Sequence, residues 1–340
     1  MKLRIGLIGQ SRDWKTVYHP LLLQLRDRFE VRAVYNSVSA LADQVARQFD
    51  AVKIDSFRAM ACRPDLDAVM VLESDWYGPL PIYAACDAGK AVYCGVDVQM
   101  DAETMASVKE RVQQHGVAFM SELPRRCAPA TVRLKELIAT RLGRPQLLFC
   151  HRRLPIDLED VQRNPRGVTA RADRELVELI DWCRYLVGDD PTWIQGVRHP
   201  SPGNRETSDY QVISLGFGDP ERDEHSVLAQ ISCGAYIPAQ WHEAVAFRPP
   251  AAIQVCCERG LAFIDLPNTL VWFDSAGRHQ ESLEHETPAS HRLMLQFHRG
   301  VTSLVQRIEN LQDTYNALHI SELARHSMVT AQRMHIPPSA

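Results

Sequence analysis

The residues closest to doing chemistry lie at the start of the chain, in Gly6-Leu7-Ile8-Gly9-Gln10-Ser11-Arg12-Asp13-Trp14. An apolar run ends here and an amphipathic stretch follows. A strand that turns into a helix offers free amides and the positive end of a dipole to a phosphate. Read from Gly9, the spacing is that of the dinucleotide fingerprint G-x-G-x-x-G, with Ser11 at the second glycine and Trp14 at the third. Gly9 keeps the tight turn, Ser11 is small enough for a pyrophosphate to come close, and Trp14 is not small. The stretch up to His19-Pro20 is roughly two residues longer than usual. The second apolar run ends in Asn36-Ser37, where a carboxylate would normally hold the adenosine ribose of NAD. Without that carboxylate a reason to reject a phosphate on the ribose is gone, so NADP would be tolerated at least as well as NAD if either binds. Asn36-Ser37 also reads as a plain turn.

Other groupings suggest less. Trp241-His242-Glu243 and the stretch from His291 to His298 carry imidazoles, but there is no H-E-x-x-H and no cluster of ligands on one helical face, so no metal is expected. His151-Arg152-Arg153 with Arg163, Arg166 and Arg171 reads either as an anion site or as a solvated surface. There is no G-x-S-x-G elbow and no phosphate loop of the G-x-x-x-x-G-K type.

The elements that must position these groups follow from the hydrophobic pattern. In 340 residues, 45% apolar and 24% charged, the chain has material for two domains of ordinary globular composition. The net charge is −4 and no basic run exceeds Arg125-Arg126 or Arg152-Arg153, which excludes nucleic-acid binding as the main task. The nine cysteines are scattered, form no C-x-x-C pair and sit mostly in apolar stretches, as expected of reduced thiols in a cytoplasmic protein. No apolar run is long enough for a membrane span or a signal peptide.

Short apolar strands at Leu3 to Ile8, Val31 to Tyr35, Val52 to Ile54, Ala68 to Leu72, Ala91 to Cys94 and Val117 to Met120 alternate with helices. This predicts a doubly wound Rossmann-type domain over residues 1–122. Residues 123–340 read as an α+β domain with a large, mainly antiparallel open sheet. Its strands are expected at Leu147 to Arg152, Trp193 to Val197, Tyr210 to Gly216, Ser226 to Ile231, Ala244 to Phe247, Ala252 to Cys257, Gly260 to Asp265 and Thr269 to Phe273. Helices are expected from Ala130 to Leu142 and from Arg171 to Val187, with a closing helix over 303–328 striped by Leu304, Ile308, Leu311, Tyr315, Leu318 and Ala324. An open sheet of this kind offers a face for self-association, so a dimer or tetramer is expected.

Taken in order, several segments resemble the glucose-fructose oxidoreductase and inositol 2-dehydrogenase family (Gfo/Idh/MocA). Asp67-Ala68-Val69-Met70-Val71-Leu72 followed by Ala84-Ala85-Cys86-Asp87-Ala88-Gly89-Lys90-Ala91-Val92 is similar to its fourth strand, fourth helix and A-G-K-H-V segment. Arg126-Cys127-Ala128-Pro129 resembles its R-F-x-P, Ile180 to Gly188 its helix ending L-D-x-x-x-x-L-x-G, and Ala317 to Ser327 its closing helix. The resemblance implies a nicotinamide cofactor, NADP or NAD, held by Gly9, Gln10, Ser11, Arg12, Asn36, Ser37, Glu73, Ser74, Asp75 and Gly95. It also implies a small, sugar-like or polyol substrate.

The family's catalytic side chains are replaced. Its E-K-P falls on Gly95-Val96-Asp97, so Val96 stands where the lysine would be, and its D-x-x-x-H falls on Arg174 and Glu178. Alcohol oxidation needs a group that accepts the hydroxyl proton. Asp97 and Glu178 are the candidates, or else Asp97 caps the helix beginning near Asp101 and Glu178 pairs with an arginine such as Arg174. Three functions stay open: an oxidoreductase with a divergent catalytic site, a non-catalytic binding or regulatory protein on the same scaffold, and a non-redox lyase or hydrolase using the same two carboxylates.

Overall fold

Six apolar runs of the first third pair side by side in the computed structural model because each can be covered on both faces. The strands are β1 (Leu3–Ile8), β2 (Phe29–Tyr35), β3 (Val52–Lys53), β4 (Ala68–Val71), β5 (Ala91–Cys94) and β6 (Phe119–Ser121). They form one parallel sheet in the order β3-β2-β1-β4-β5-β6, and every residue of β4 and β5 is buried. The structure describes residues 1–74, 77–95, 98, 100–156, 165–201, 204–218, 226–238, 240–241, 243–244, 247, 250–265, 268–303 and 310–337, and the backbone alone at 156, 165–171, 200–201 and 204–209.

Helix boundaries in this unit have local causes. The Oδ1 atom of Asp101 accepts from the amide of Thr104 at 2.7 Å, starting the helix Ala102–His115, and Gly116 ends it at φ 61°. The helix after β1 starts earlier than expected: Trp14–Tyr18 form a π-helical turn that runs into His19–Gln24. Trp14 is 4% exposed, with its indole 6.0 Å from the His19 ring and 6.1 Å from that of Phe49. The bulk at the third fingerprint position therefore packs inward.

The chain divides into two compact units, Met1–Pro124 with Ala289–Asn316, and Arg125–Pro288 with Ala317–Ala340. Residues 289–316 were assigned by sequence to 123–340. They return to the first unit because the helix Ala289–Thr302 sets Phe297 5.4 Å from the ring of Tyr93 and His298 5.5 Å from that of Phe29. Asn310 then brackets Ser121, accepting from its amide at 3.0 Å and donating to its carbonyl at 2.5 Å. In place of one closing helix over 303–328 there is a helix at Leu311–Thr330, while Leu304 and Ile308 lie outside the described residues.

The second unit holds β7 (Pro145–Ile156), β8 (Pro191–Ser201), β9 (Asn204–Phe217), β10 (Val227–Pro238), β11 (Ile253–Cys257), β12 (Gly260–Asp265), β13 (Thr269–Asp274), β14 (Gly277–Ser282) and β15 (Met334–His335). Their order is β14-β13-β12-β11-β7-β10-β9-β8-β15, antiparallel throughout except for β7 with β10. One face is the core. The helix Pro165–Val187 lays Leu176, Leu179, Ile180, Cys183 and Leu186 on a layer that includes Leu148, Cys150, Ile213, Leu215, Ile231 and Val255. Each fully buried aliphatic side chain contributes about 1.5–3 kcal/mol.

Where a strand is expected at Ala244 to Phe247, Ala244 is helical and Phe247 sits in a bend, 66% exposed, and Val245 and Ala246 lie outside the described residues. No described helix is long and apolar enough to cross a membrane.

Candidate functional site

In the first unit the C-terminal ends of β1, β2, β4, β5 and β6 carry the residues that chemistry would use. Gly9 follows β1 with φ 76°, and a Cβ there would lie 2.2 Å from the carbonyl oxygen of Glu73. Glycine is therefore required twice, by its backbone and by the passage of the chain after β4. Next in line, Ser11 is 4% exposed. Among the described residues, its Oγ atom and the Oε1 atom of Gln10 are buried and have no hydrogen-bond partner. Leaving such atoms unsatisfied costs about 1–3 kcal/mol each, and a fold keeps them when a ligand completes them. Arg12 is exposed beside them.

Beyond β2, the side chain of Asn36 accepts from the amide of Val38 at 2.8 Å, so it builds the turn into the helix Ser39–Phe49, and Ser37 is exposed. Near it, Tyr35, Phe57 and Tyr77 form an aromatic cluster with ring centroids 5.3 to 6.1 Å apart, the two tyrosine hydroxyls hydrogen-bonded to each other. Past β4, Glu73 is half-buried and Ser74 is 2% exposed. Asp75 and Asp97 lie outside the described residues. The helix that Asp97 was expected to cap is capped by Asp101 itself.

At the ends of β5 and β6 the structure shows a pair that sequence reasoning missed. The hydroxyl of Tyr18 donates to Oε2 of Glu122, and both residues are buried, at 3% and 8% exposure. Gly95 is buried beside them. Burial, together with nearby Glu122, pushes the Cys94 thiol up. The available signal was a lone acid directly after the apolar run of β6.

In the second unit Glu178 is bound to an arginine, Arg125: Nε of Arg125 lies 3.3 Å from Glu178 Oε2, while its Nη2 donates to Glu175 Oε2 at 2.8 Å. The guanidinium also lies 5.3 Å from the Trp182 ring centroid, and Arg152 reaches Glu175 at 3.3 Å from the other side. Arg125 belongs to the short helix Pro124–Cys127, 53 positions before Glu178, a pairing that helical spacing could not reveal.

The basic segment does not converge on one point. His151 Nδ1 is 2.7 Å from Ser232 Oγ, Arg152 turns to Glu175, and Arg153 donates to the carbonyl of Phe247 at 3.2 Å. Arg163 is outside the described residues, and Arg166 and Arg171 are described by backbone alone. Among the described residues no three His, Cys, Asp or Glu side chains are grouped to hold a metal.

Residues 3–123 match the family model described as "Oxidoreductase family, NAD-binding Rossmann fold" (GFO_IDH_MocA). The chain is 31% identical over 187 residues to an inositol 2-dehydrogenase of Acidothermus cellulolyticus, covering 54% of this chain and 53% of that protein. It is 29% identical over 148 residues to a D-xylose 1-dehydrogenase (NADP(+)) of Haloferax volcanii, covering 42% of each. These matches span about half the length of the relatives or less. In fold, the chain is similar over 99% of its length to all of the aldose-aldose oxidoreductase of Caulobacter crescentus, with a TM-score of 0.83 at 14% identity.

Proposed function

Residues 3–123 are a Gfo/Idh/MocA family domain, and on that premise we propose that the protein is an NAD(P)-dependent oxidoreductase with a divergent catalytic site, acting on a sugar-like or polyol substrate. One observation carries the reading: Ser11 Oγ and Gln10 Oε1 are buried and unsatisfied at the turn after β1. The residues present fit the cofactor. Ser11 supplies a hydroxyl donor and Gln10 an acceptor, the backbone at Gly9 leaves the turn tight, and Arg12 adds a positive charge next to where phosphates would lie.

A bound nicotinamide would take up a hydride from the substrate's carbinol carbon. What this chain must supply is an acceptor for the hydroxyl proton. By sequence Asp97, one residue beyond the position of the lysine, and Glu178 are candidates for that task, and the Tyr18–Glu122 pair is a third. Glu178 lies 3.3 Å from Nε of Arg125, which shares the site with it. The inositol and xylose dehydrogenase relatives support the substrate class.

The test is a shift in melting temperature with millimolar NAD(H) or NADP(H). A rise supports the reading, and no rise with any of the four ends it.

A further inference from the structure

Tyr18 and Glu122 are 104 positions apart in the chain and meet where the strands of the parallel sheet end. Tyr18 closes the π-helical turn Trp14–Tyr18. Glu122 is the first residue past β6, with its amide donating to the carbonyl of Cys94, the last residue of β5, at 2.9 Å. A doubly wound sheet presents ligands outside these C-terminal strand ends.

Three observations separate the pair from ordinary core packing. A carboxylate at 8% exposure costs several kcal/mol unless it is paired, and well-packed apolar residues in place of such a pair are often neutral or stabilising. Stability alone therefore does not require Glu122. Second, Gly95, the first residue past β5, is not among the glycines with positive φ, so its backbone has no need of glycine. A Cβ there would stand 3.2 Å from the Cα and 3.3 Å from the carbonyl oxygen of Leu72 and 3.3 Å from the Tyr18 hydroxyl, so the missing side chain makes room for the chain after β4 and for the phenol alike. Third, the neighbouring Cys94 thiol is pushed up by burial, stays protonated, and does not compete as a base.

We infer that Tyr18 and Glu122 form an acid–base couple, in which the Tyr18 hydroxyl exchanges a proton with the hydroxyl of an alcohol substrate at the end of β5. Glu122 takes up the phenol's own proton. The inference rests on the nicotinamide reading above. In the oxidising direction the carbinol hydrogen leaves with two electrons as hydride to the nicotinamide. The substrate's O–H proton passes to Tyr18 Oη as the phenol proton passes to Glu122 Oε2, giving a carbonyl product and a neutral Glu122. Charge balances, since the cofactor loses one positive charge and the carboxylate one negative charge. Tyr18 is the residue that meets the substrate, and Glu122 positions it and accepts the proton behind it.

The experiment compares full-length wild type with Tyr18→Phe, Glu122→Gln, Glu122→Asp and Gly95→Ala. Binding of NADH and NADPH is followed by fluorescence, and turnover is measured on myo-inositol, D-xylose and D-glucose with NAD⁺ and NADP⁺. The expected result is wild-type turnover of at least one of these. Tyr18→Phe and Glu122→Gln should then lose about 10²–10⁴-fold in kcat, with KM and cofactor affinity within about threefold. Glu122→Asp should recover part of the loss, and Gly95→Ala, which displaces the hydroxyl without removing it, should also lower kcat. Tyr18→Phe keeping kcat within about threefold overturns the inference, as does a cofactor-binding wild type inert on all three substrates. A wild type that binds no nicotinamide overturns the underlying reading as well.

Discussion

Arg126 and Asp181 meet in a two-pronged ion pair, Nε to Oδ2 at 2.7 Å and Nη2 to Oδ1 at 2.5 Å, with only 2% of the aspartate side chain exposed. These residues belong to the two segments of the second unit that most resemble family motifs, and their role here is to fasten the chain entering that unit to its long helix. Arg126→Ala should destabilise the protein by about 3 kcal/mol in urea unfolding, because it leaves a buried charge. The effect should lie at the low end because Arg184 still approaches Asp181 at 3.4 Å. Arg126→Met combined with Asp181→Leu should recover most of that loss.

Burial, and then the charge of Arg153, hold the His151 imidazole below its ordinary pKa. As pH falls below about 6.5 the unfolded chain takes up this proton before the folded one, so stability is lost from there downward. His151→Gln should flatten the melting-temperature profile between about pH 6.5 and 5. An unchanged profile would show that burial and Arg153 impose no such penalty.

Burial pushes the thiols of Cys86, Cys233 and Cys257 up to about 12 and that of Cys94 well up, while a hydrogen bond with Cys150, and then burial, raise that of Cys183. Cys62 is exposed. Iodoacetamide at pH 8 should therefore label Cys62 in the native protein and reach those five only after denaturation, as read by peptide mass spectrometry.

Leu147, Val197, Leu228 and Phe273 lie on the face of the nine-stranded sheet opposite the core, at 39%, 66%, 40% and 40% exposure. A second copy of the chain covering this face gives the dimer or tetramer we propose. Light scattering should report a multiple of 38.5 kDa, and a monomer mass at micromolar concentration would contradict it.

Much of this architecture was legible in the chain itself. The apolar runs from Leu3, Ala68 and Ala91 have no polar alternation, which only a sheet covered on both sides can accommodate, and Asp101 and Gly116 mark their helix at both ends. Contacts between distant segments were not legible. The inward packing of Trp14, the grip of Arg125 on Glu178 and the meeting of Tyr18 with Glu122 join residues whose separation follows no local period. At Ala244 and Phe247, where a strand was expected, the described backbone is helical and bent, because tertiary context overrides local strand propensity.

Ser11→Ala tests the central claim most directly. Removing a buried hydroxyl that has no partner in the free protein should leave the melting temperature without ligand unchanged or slightly raised. The same substitution should weaken NAD(H) or NADP(H) binding by about tenfold in calorimetric titration, the value of one lost hydrogen bond to a charged group. A wild type that gives no heat with any of the four nicotinamides, or a Ser11→Ala protein that binds them as tightly as wild type, would contradict a cofactor site at this turn.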